Sequence, residues 1–175
     1  MHRGVRRGRG ADGRRERRRI HAVSRITIET ERFGKVEADE GEIVAFPGLP
    51  GFAAARRFVI RGHDRGDTFA WLLCADDPGL AFVIANPWHL APGYEPELPE
   101  RALRALGAAS ADELHLVAIA SVRADGTTLN LAAPLVINPR TRRGMQVILE
   151  TGEWSARAPA APPPTAEPRS VRAGS

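Results

Sequence analysis

Between residues 26 and 150, apolar side chains recur with a period of two or in short unbroken runs. The 3.6-residue spacing of an amphipathic helix is scarce, so the pattern predicts strands. Ile26-Thr27-Ile28-Glu29 alternates apolar and polar as a half-buried strand does, and Phe33-Gly34-Lys35-Val36-Glu37 repeats the alternation after a break. Further strands are expected at Glu42 to Phe46, Arg57 to Arg61, Thr68 to Cys74, Leu80 to Ala85, His115 to Arg123, Thr127 to Ala132, Leu135 to Asn138 and Met145 to Glu150. Gly, Pro, Asn and Asp punctuate them. Asp125-Gly126 suits a hairpin joining Ala118–Arg123 to Thr127–Leu131, and a second hairpin is expected across Pro139 to Gly144.

One helix is expected from Pro99 through Leu106. Pro99 suits its first turn, Glu100 the positive end of its dipole, and Gly107 its termination. A short turn is expected at Ser110-Ala111-Asp112-Glu113, spaced as a capping box. Ten short strands with one or two short helices predict a mainly β fold, a compact antiparallel β-barrel or sandwich-like single domain. Its expected bounds are residues 23–155. Residues 1–22 are rich in Arg and Gly and are expected to be a disordered arm, because so few apolar side chains cannot offset the entropy of ordering. Residues 156–175 carry five prolines among small residues, which predicts an extended, disordered tail.

Charge changes the picture once it is divided along the chain. The formal net charge is +4 over 175 residues. Residues 1–25 hold ten arginines against Asp12 and Glu16, whereas residues 26–156 hold 12 basic against 18 acidic side chains. The basic character therefore belongs to the ends and the body is acidic. An acidic body disfavours direct nucleic-acid binding by the folded domain and favours basic proteins. No apolar run approaches the roughly 20 residues of a bilayer-spanning helix, and no apolar stretch follows the N-terminal arginines to complete an export signal, so a cytoplasmic location without a membrane is expected.

Catalytic signatures are sparse. Gly8-Arg9-Gly10-Ala11-Asp12-Gly13 matches the dinucleotide-binding string, but no strand precedes it and no helix follows it. His2, His21, His63, His89 and His115 are scattered without metal-ligand spacing, and Cys74, the lone cysteine, sits in an apolar run. No cofactor is implied. Asp76-Asp77-Pro78 reads as a strand-ending turn, with Asp77 accepting backbone N–H bonds, or as an acidic contact for a basic partner.

Three stretches carry a family resemblance. They are Phe46-Pro47-Gly48-Leu49-Pro50-Gly51-Phe52, then Asp76-Asp77-Pro78-Gly79-Leu80-Ala81-Phe82-Val83-Ile84, then Asn130 to Asn138 running into Thr141-Arg142-Arg143-Gly144-Met145-Gln146-Val147-Ile148-Leu149. With Phe33-Gly34 and Tyr94-Glu95-Pro96-Glu97-Leu98-Pro99 in the same order, residues 25 to 150 resemble the flagellar assembly factor FliW family. The resemblance implies a non-enzymatic binding protein with two competing partners, flagellin and the mRNA-binding translational regulator CsrA. In that scheme the protein antagonises CsrA until unassembled flagellin occupies it, which couples flagellin synthesis to assembly.

The expected contact residues are Asp76, Asp77, Glu95, Glu97 and Glu100 as an acidic surface, with Trp88 and Tyr94 as aromatic anchors. Charge reversal at Asp76 and Asp77 is expected to weaken CsrA binding and leave the fold intact. Two other readings stand beside this one: a β-barrel that binds a small ligand or acts as an enzyme through its interior, and an RNA-associated protein acting through the arginine arm.

Overall fold

A computed structural model describes residues 24–64 and 66–161. Strands β1 (Arg25–Thr30) and β2 (Gly34–Asp39) form the antiparallel hairpin that their alternation predicts, with Ile28 opposite Val36. The Thr30 hydroxyl ties the turn, donating to the Gly34 carbonyl and accepting from the Phe33 amide, both at 3.0 Å. Strands β3 (Val44–Ala45), β4 (Arg57–His63), β5 (Gly66–Cys74), β6 (Ala81–Ala85), β7 (His115–Arg123), β8 (Gly126–Leu129), β9 (Leu135–Asn138), β10 (Arg143–Gln146) and β11 (Ala158–Pro159) form a second sheet. Its order is β11-β8-β7-β6-β5-β4-β3-β10-β9, and the first half of β7 also pairs with β9. The pairings thus return on themselves through β7, which makes the sheet barrel-like. Among the described residues, the only parallel step is β3 with β10.

Strands buried on both faces explain the unbroken apolar runs. Phe58, Leu72, Ile84, Leu135 and Ile137 point to an inner core with Phe46 and Leu49. Their neighbours in sequence point outward. Val59 and Leu73 lie beneath the β1–β2 hairpin with Ile28 and Ala38. Ala85, Ala118, Ala120 and Val136 lie beneath a second cover built from two short helices, α1 (Pro87–Leu90) and α2 (Glu100–Leu106), and their flanking segments. Arg61 on β4 fastens the hairpin, donating to the Glu37 carbonyl at 2.8 Å and pairing with Glu42 at 3.0 Å.

The differences from the sequence expectation are local. Of the stretch expected from Glu42 to Phe46, Val44 and Ala45 pair as a strand, because Glu40–Glu42 form a 3-10 turn. Helix α2 starts at Glu100, with Pro99 as its cap, and ends at Gly107 with φ 69°. Ser110 precedes a 3-10 turn, Ala111–Glu113, without a side-chain cap bond. Helix α1 was not anticipated, although Asn86 followed by Pro87 is a start signal and the Asn86 carboxamide accepts from the Trp88 amide at 3.1 Å.

The expected boundary at residue 155 is corrected. Ala158 pairs with Leu129 and Pro159 with Thr128, Ala160 donates to the Thr127 carbonyl, and Ala161 donates to the Leu90 carbonyl. Residues 156–161 therefore belong to the folded body, because small side chains can seat flat against the edge of β8. The expected arm, residues 1–22, and the rest of the expected tail lie outside the described residues.

Candidate partner-binding surfaces

The motifs that carry the family resemblance meet in space. Pro50 and Gly51 make a two-residue turn closed by the Leu49–Phe52 bridge, with Gly51 at φ 83° as a proline-glycine turn requires. Phe52 then packs edge-on against Phe82 at 5.4 Å, and Phe46 edge-on against Phe58 at 5.3 Å. The tip of the Phe46 ring rests on Gly144: a Cβ there would lie 2.5 Å from Cζ of the ring. Phe46, Pro50, Gly51, Phe52, Phe82 and Gly144 thus serve as core and turn.

Asp76 is a latch. Its carboxylate accepts from the Arg56 and Arg57 amides at 2.9 and 2.8 Å and from the Arg57 guanidinium at 2.7 Å. Burial alone pushes the carboxyl up, but the Arg56 amide and the Arg57 guanidinium and amide outweigh it and hold it below its ordinary value. Reversing its charge would put a cation against two backbone N–H groups and a guanidinium. The expectation that this leaves the fold intact is therefore corrected. Asp77 is exposed and accepts from the Gly79 amide at 3.0 Å, as expected of a strand-ending turn.

Tyr94 is 1% exposed, which corrects its placement as a surface anchor. The phenol donates to the Leu131 carbonyl at 2.8 Å and the ring meets the edge of Trp154 at 4.8 Å. Burial pushes the phenol up to about 12. Trp88, by contrast, is 42% exposed. Its indole N–H donates to the Tyr94 carbonyl at 2.9 Å, which fixes the ring while leaving a face to solvent.

Glu95, Glu97 and Glu100 are exposed along the segment that leads into α2. Glu97, Leu98, Pro99 and Arg101 face Ile148, Leu149 and Glu150 across a shallow shelf of about 210 Å³. Ile148 is 62% exposed, the most open large apolar side chain among the described residues. Its orientation is imposed by its neighbours, because the Val147 and Leu149 amides donate to the Pro134 and Ala132 carbonyls and both side chains turn inward. Sequence reasoning missed Ile148. The available signal was three consecutive apolar residues in an alternating stretch, one of which must face out.

Glu97 and Glu150 line this shelf with Arg101, which pairs with Glu150 at 2.7 Å; Glu95 and Glu100 are near them along the chain, and Glu100 pairs with Arg104 at 3.0 Å. Pairs this exposed are screened, so the local balance stays acidic. Asp76 and Asp77 occupy a different place, the turn between β5 and β6. The expected acidic residues therefore fall into two groups, of which the shelf group alone adjoins exposed apolar surface.

Among the described residues, no three His, Cys, Asp or Glu side chains are placed to hold a metal ion, and no helix is long and apolar enough to cross a membrane. Cys74 is buried, and burial pushes its thiol up. The fold and its surfaces describe a mainly β, barrel-like domain with an exposed apolar shelf beside acidic side chains.

The FliW protein family model matches residues 27–160. The chain is 34% identical over 138 residues to the flagellar assembly factor FliW of Caldicellulosiruptor saccharolyticus, covering 77% of this chain and 90% of that protein. It is 41% identical over 121 residues to the flagellar assembly factor FliW of Symbiobacterium thermophilum, covering 67% of this chain and 88% of that protein. A crystal structure of the flagellar assembly factor FliW superposes with a TM-score of 0.72 at 34% identity, covering 78% of this chain and 98% of the other. The chain belongs to the FliW family.

Proposed function

We propose that this protein is a cytoplasmic, non-enzymatic flagellar assembly factor that binds flagellin and the translational regulator CsrA, so that flagellin synthesis follows assembly. The observation that carries the reading is the shelf: an exposed Ile148 beside Leu98 and Pro99, lined by Glu97 and Glu150, with Glu95 and Glu100 exposed on the same segment of chain as Glu97, on an acidic body. An apolar centre within an acidic rim suits a basic RNA-binding protein. The rim speeds encounter and sets specificity, while the desolvated centre supplies affinity. Trp88, held by its indole hydrogen bond, is the aromatic anchor of the same stretch of chain.

The test is calorimetric titration of the full chain with flagellin and, separately, CsrA from the same organism. Binding of both, with one displacing the other, is the expected result. Ile148→Asp and Glu97→Lys, each checked for unchanged circular dichroism, should weaken CsrA about tenfold or more, which corresponds to about 1.4 kcal/mol. Unaltered affinity in both variants would remove CsrA from the shelf, and binding of neither protein by the wild type would refute the reading as a whole.

A further inference from the structure

Strand β10 lacks a neighbour along most of one edge. β9 pairs with its whole length, from Arg143 opposite Asn138 to Gln146 opposite Leu135, whereas β3 meets it only at Arg143, opposite Ala45. The chain of β3 then leaves β10, because the Phe46 amide donates to the Arg56 carbonyl and Pro47 has no N–H to offer. Past β10 the ladder on the β9 side continues through the Val147 and Leu149 amides, bonded to the Pro134 and Ala132 carbonyls at 2.9 Å. Main-chain groups alternate sides along such a ladder, so those of Gln146 and Ile148 point to the side that β3 does not reach. Among the described residues the Ile148 amide meets no acceptor, and β3 offers Gln146 none.

Helix α2 flanks this edge without covering it. Its start is held by the pair of Arg101 with Glu150 at 2.7 Å, and its end by the Thr141 hydroxyl, which donates to the Leu106 carbonyl at 3.2 Å. The helix therefore runs antiparallel to residues 141–150. Ala102 and Leu106 pack on the face to which Val147 and Leu149 turn, so the helix roofs a face of the strand and not its edge. Hollows open at both ends of the edge. One is the shelf at Ile148 to Glu150; the other, of about 300 Å³, is lined by Phe46, Pro47, Ala105, Arg143 and Met145. Their charges are opposite: Glu97 and Glu150 line the first, and Arg143, which has no ion-pair partner among the described residues, lines the second.

An uncovered strand edge is a template for another strand, and folded proteins ordinarily blunt one with a lysine, a proline or a bulge. This edge carries Ile148 instead, 62% exposed. In strand addition the main-chain bonds supply affinity, and pockets for alternate side chains supply specificity. From Gly144 to Glu150 is about 20 Å of edge, room for a segment of about six residues.

We propose that the shelf takes its partner as an added strand. An extended segment of the partner pairs with the main chain of Gln146 and Ile148 and lays an apolar side chain against Ile148 and Leu98. It carries a basic side chain to Glu97 and Glu150 and an acidic one to Arg143. The opposed charges fix which end of the segment meets which hollow. This inference rests on the shelf being the site for CsrA.

The experiment is amide hydrogen exchange, read by NMR on the full chain alone and with CsrA from the same organism. In the free chain Val147 and Leu149 should exchange slowly and Gln146 and Ile148 fast; with CsrA bound, Gln146 and Ile148 should slow about tenfold or more. Ile148→Pro deletes the edge amide at a position where an edge strand tolerates proline. It should bind CsrA about tenfold more weakly than Ile148→Ala, which shortens the same side chain and keeps the N–H. Where Ile148→Pro does not fold, the exchange pattern of the wild type decides alone. Slow exchange of Gln146 and Ile148 in the free chain would overturn the proposal by showing the edge already paired. Fast exchange of both in the complex, or equal affinity of the proline and alanine variants, would reject strand addition and leave the shelf as the partner site. A wild type that does not bind CsrA would overturn the assignment of the shelf and this inference together.

Discussion

Gly144→Ala isolates the contact that locks two of the shared sequence stretches together. A Cβ at position 144 would lie 2.5 Å from Cζ and 2.8 and 2.9 Å from the two Cε atoms of Phe46, where carbon atoms ordinarily rest about 3.5–4.0 Å apart. The strand or the ring must therefore retreat by about 1 Å. Neither has much room, because Phe46 is 3% exposed and stands edge-on against Phe58, itself fully buried. Overpacking of this kind costs about 1–3 kcal/mol. Gly144 is not among the residues with positive φ, so alanine recovers about 0.4–1 kcal/mol by stiffening the unfolded chain. With both faces of the contact fixed, the cost lies toward the upper part of that range and the net loss is about 1–2.5 kcal/mol, a fall in Tm of about 4 °C per kcal/mol for a domain of this size. Urea titration followed by tryptophan fluorescence reads it directly. Phe46→Leu removes the ring atoms that clash, so the double variant should be more stable than the sum of the two single losses allows, by about 1 kcal/mol or more. A Gly144→Ala protein as stable as wild type, or strictly additive losses, would refute the packing argument.

Further outcomes follow from hydrogen-bonded polar groups. Tyr94→Phe leaves the Leu131 carbonyl without its donor and should cost about 1–2 kcal/mol in the same titration. Because Tyr94 is the chain's only tyrosine and is held up to about 12, its phenolate absorbance should rise well above pH 10 in the native state. Stability should be lost as pH climbs from 10 toward 12, since the unfolded chain releases that proton first. Asn138, 1% exposed, donates to the Leu106 carbonyl at 2.9 Å and accepts from the Arg140 amide at 2.9 Å; Asn138→Asp turns that donor into a second anionic oxygen facing a carbonyl and should lower stability by about 2 kcal/mol or more. The carboxyls of Asp76 and Glu42 are both held below their ordinary values, Glu42 by the Asp39 amide and then the Arg61 guanidinium, so their contribution is present at neutral pH and is lost as pH falls through the lowered values. Denaturation midpoints at pH 7 and pH 3.5 should differ less in Asp76→Asn than in wild type; an equal difference would show that the latch does not titrate with folding.

Much of this protein is legible along the chain because its strands obey local rules. Alternation marked β1 and β2, apolar runs marked β5, β6 and β9, and Pro99 with Gly107 bracketed α2. The acidic character of the body follows from counting. What each residue does was decided by packing between distant segments. Asp76 and Asp77 are neighbours in sequence with the same side chain and both are exposed, yet one is a latch because Arg56 and Arg57, at the start of β4, arrive beside it, and the other holds only its own turn. Tyr94 resembles an interface aromatic until Leu131 and Trp154 close over it, and Ile148 resembles a core residue until Val147 and Leu149 claim the inward positions. Small residues at 158–161 read as tail because an edge-strand seat is supplied wholly by β8, which the segment itself does not encode. Strand periodicity is a property of a few consecutive residues, so it survives in one dimension; exposure and partnership are set by which remote side chains share the space, and they exist only once the sheet has closed.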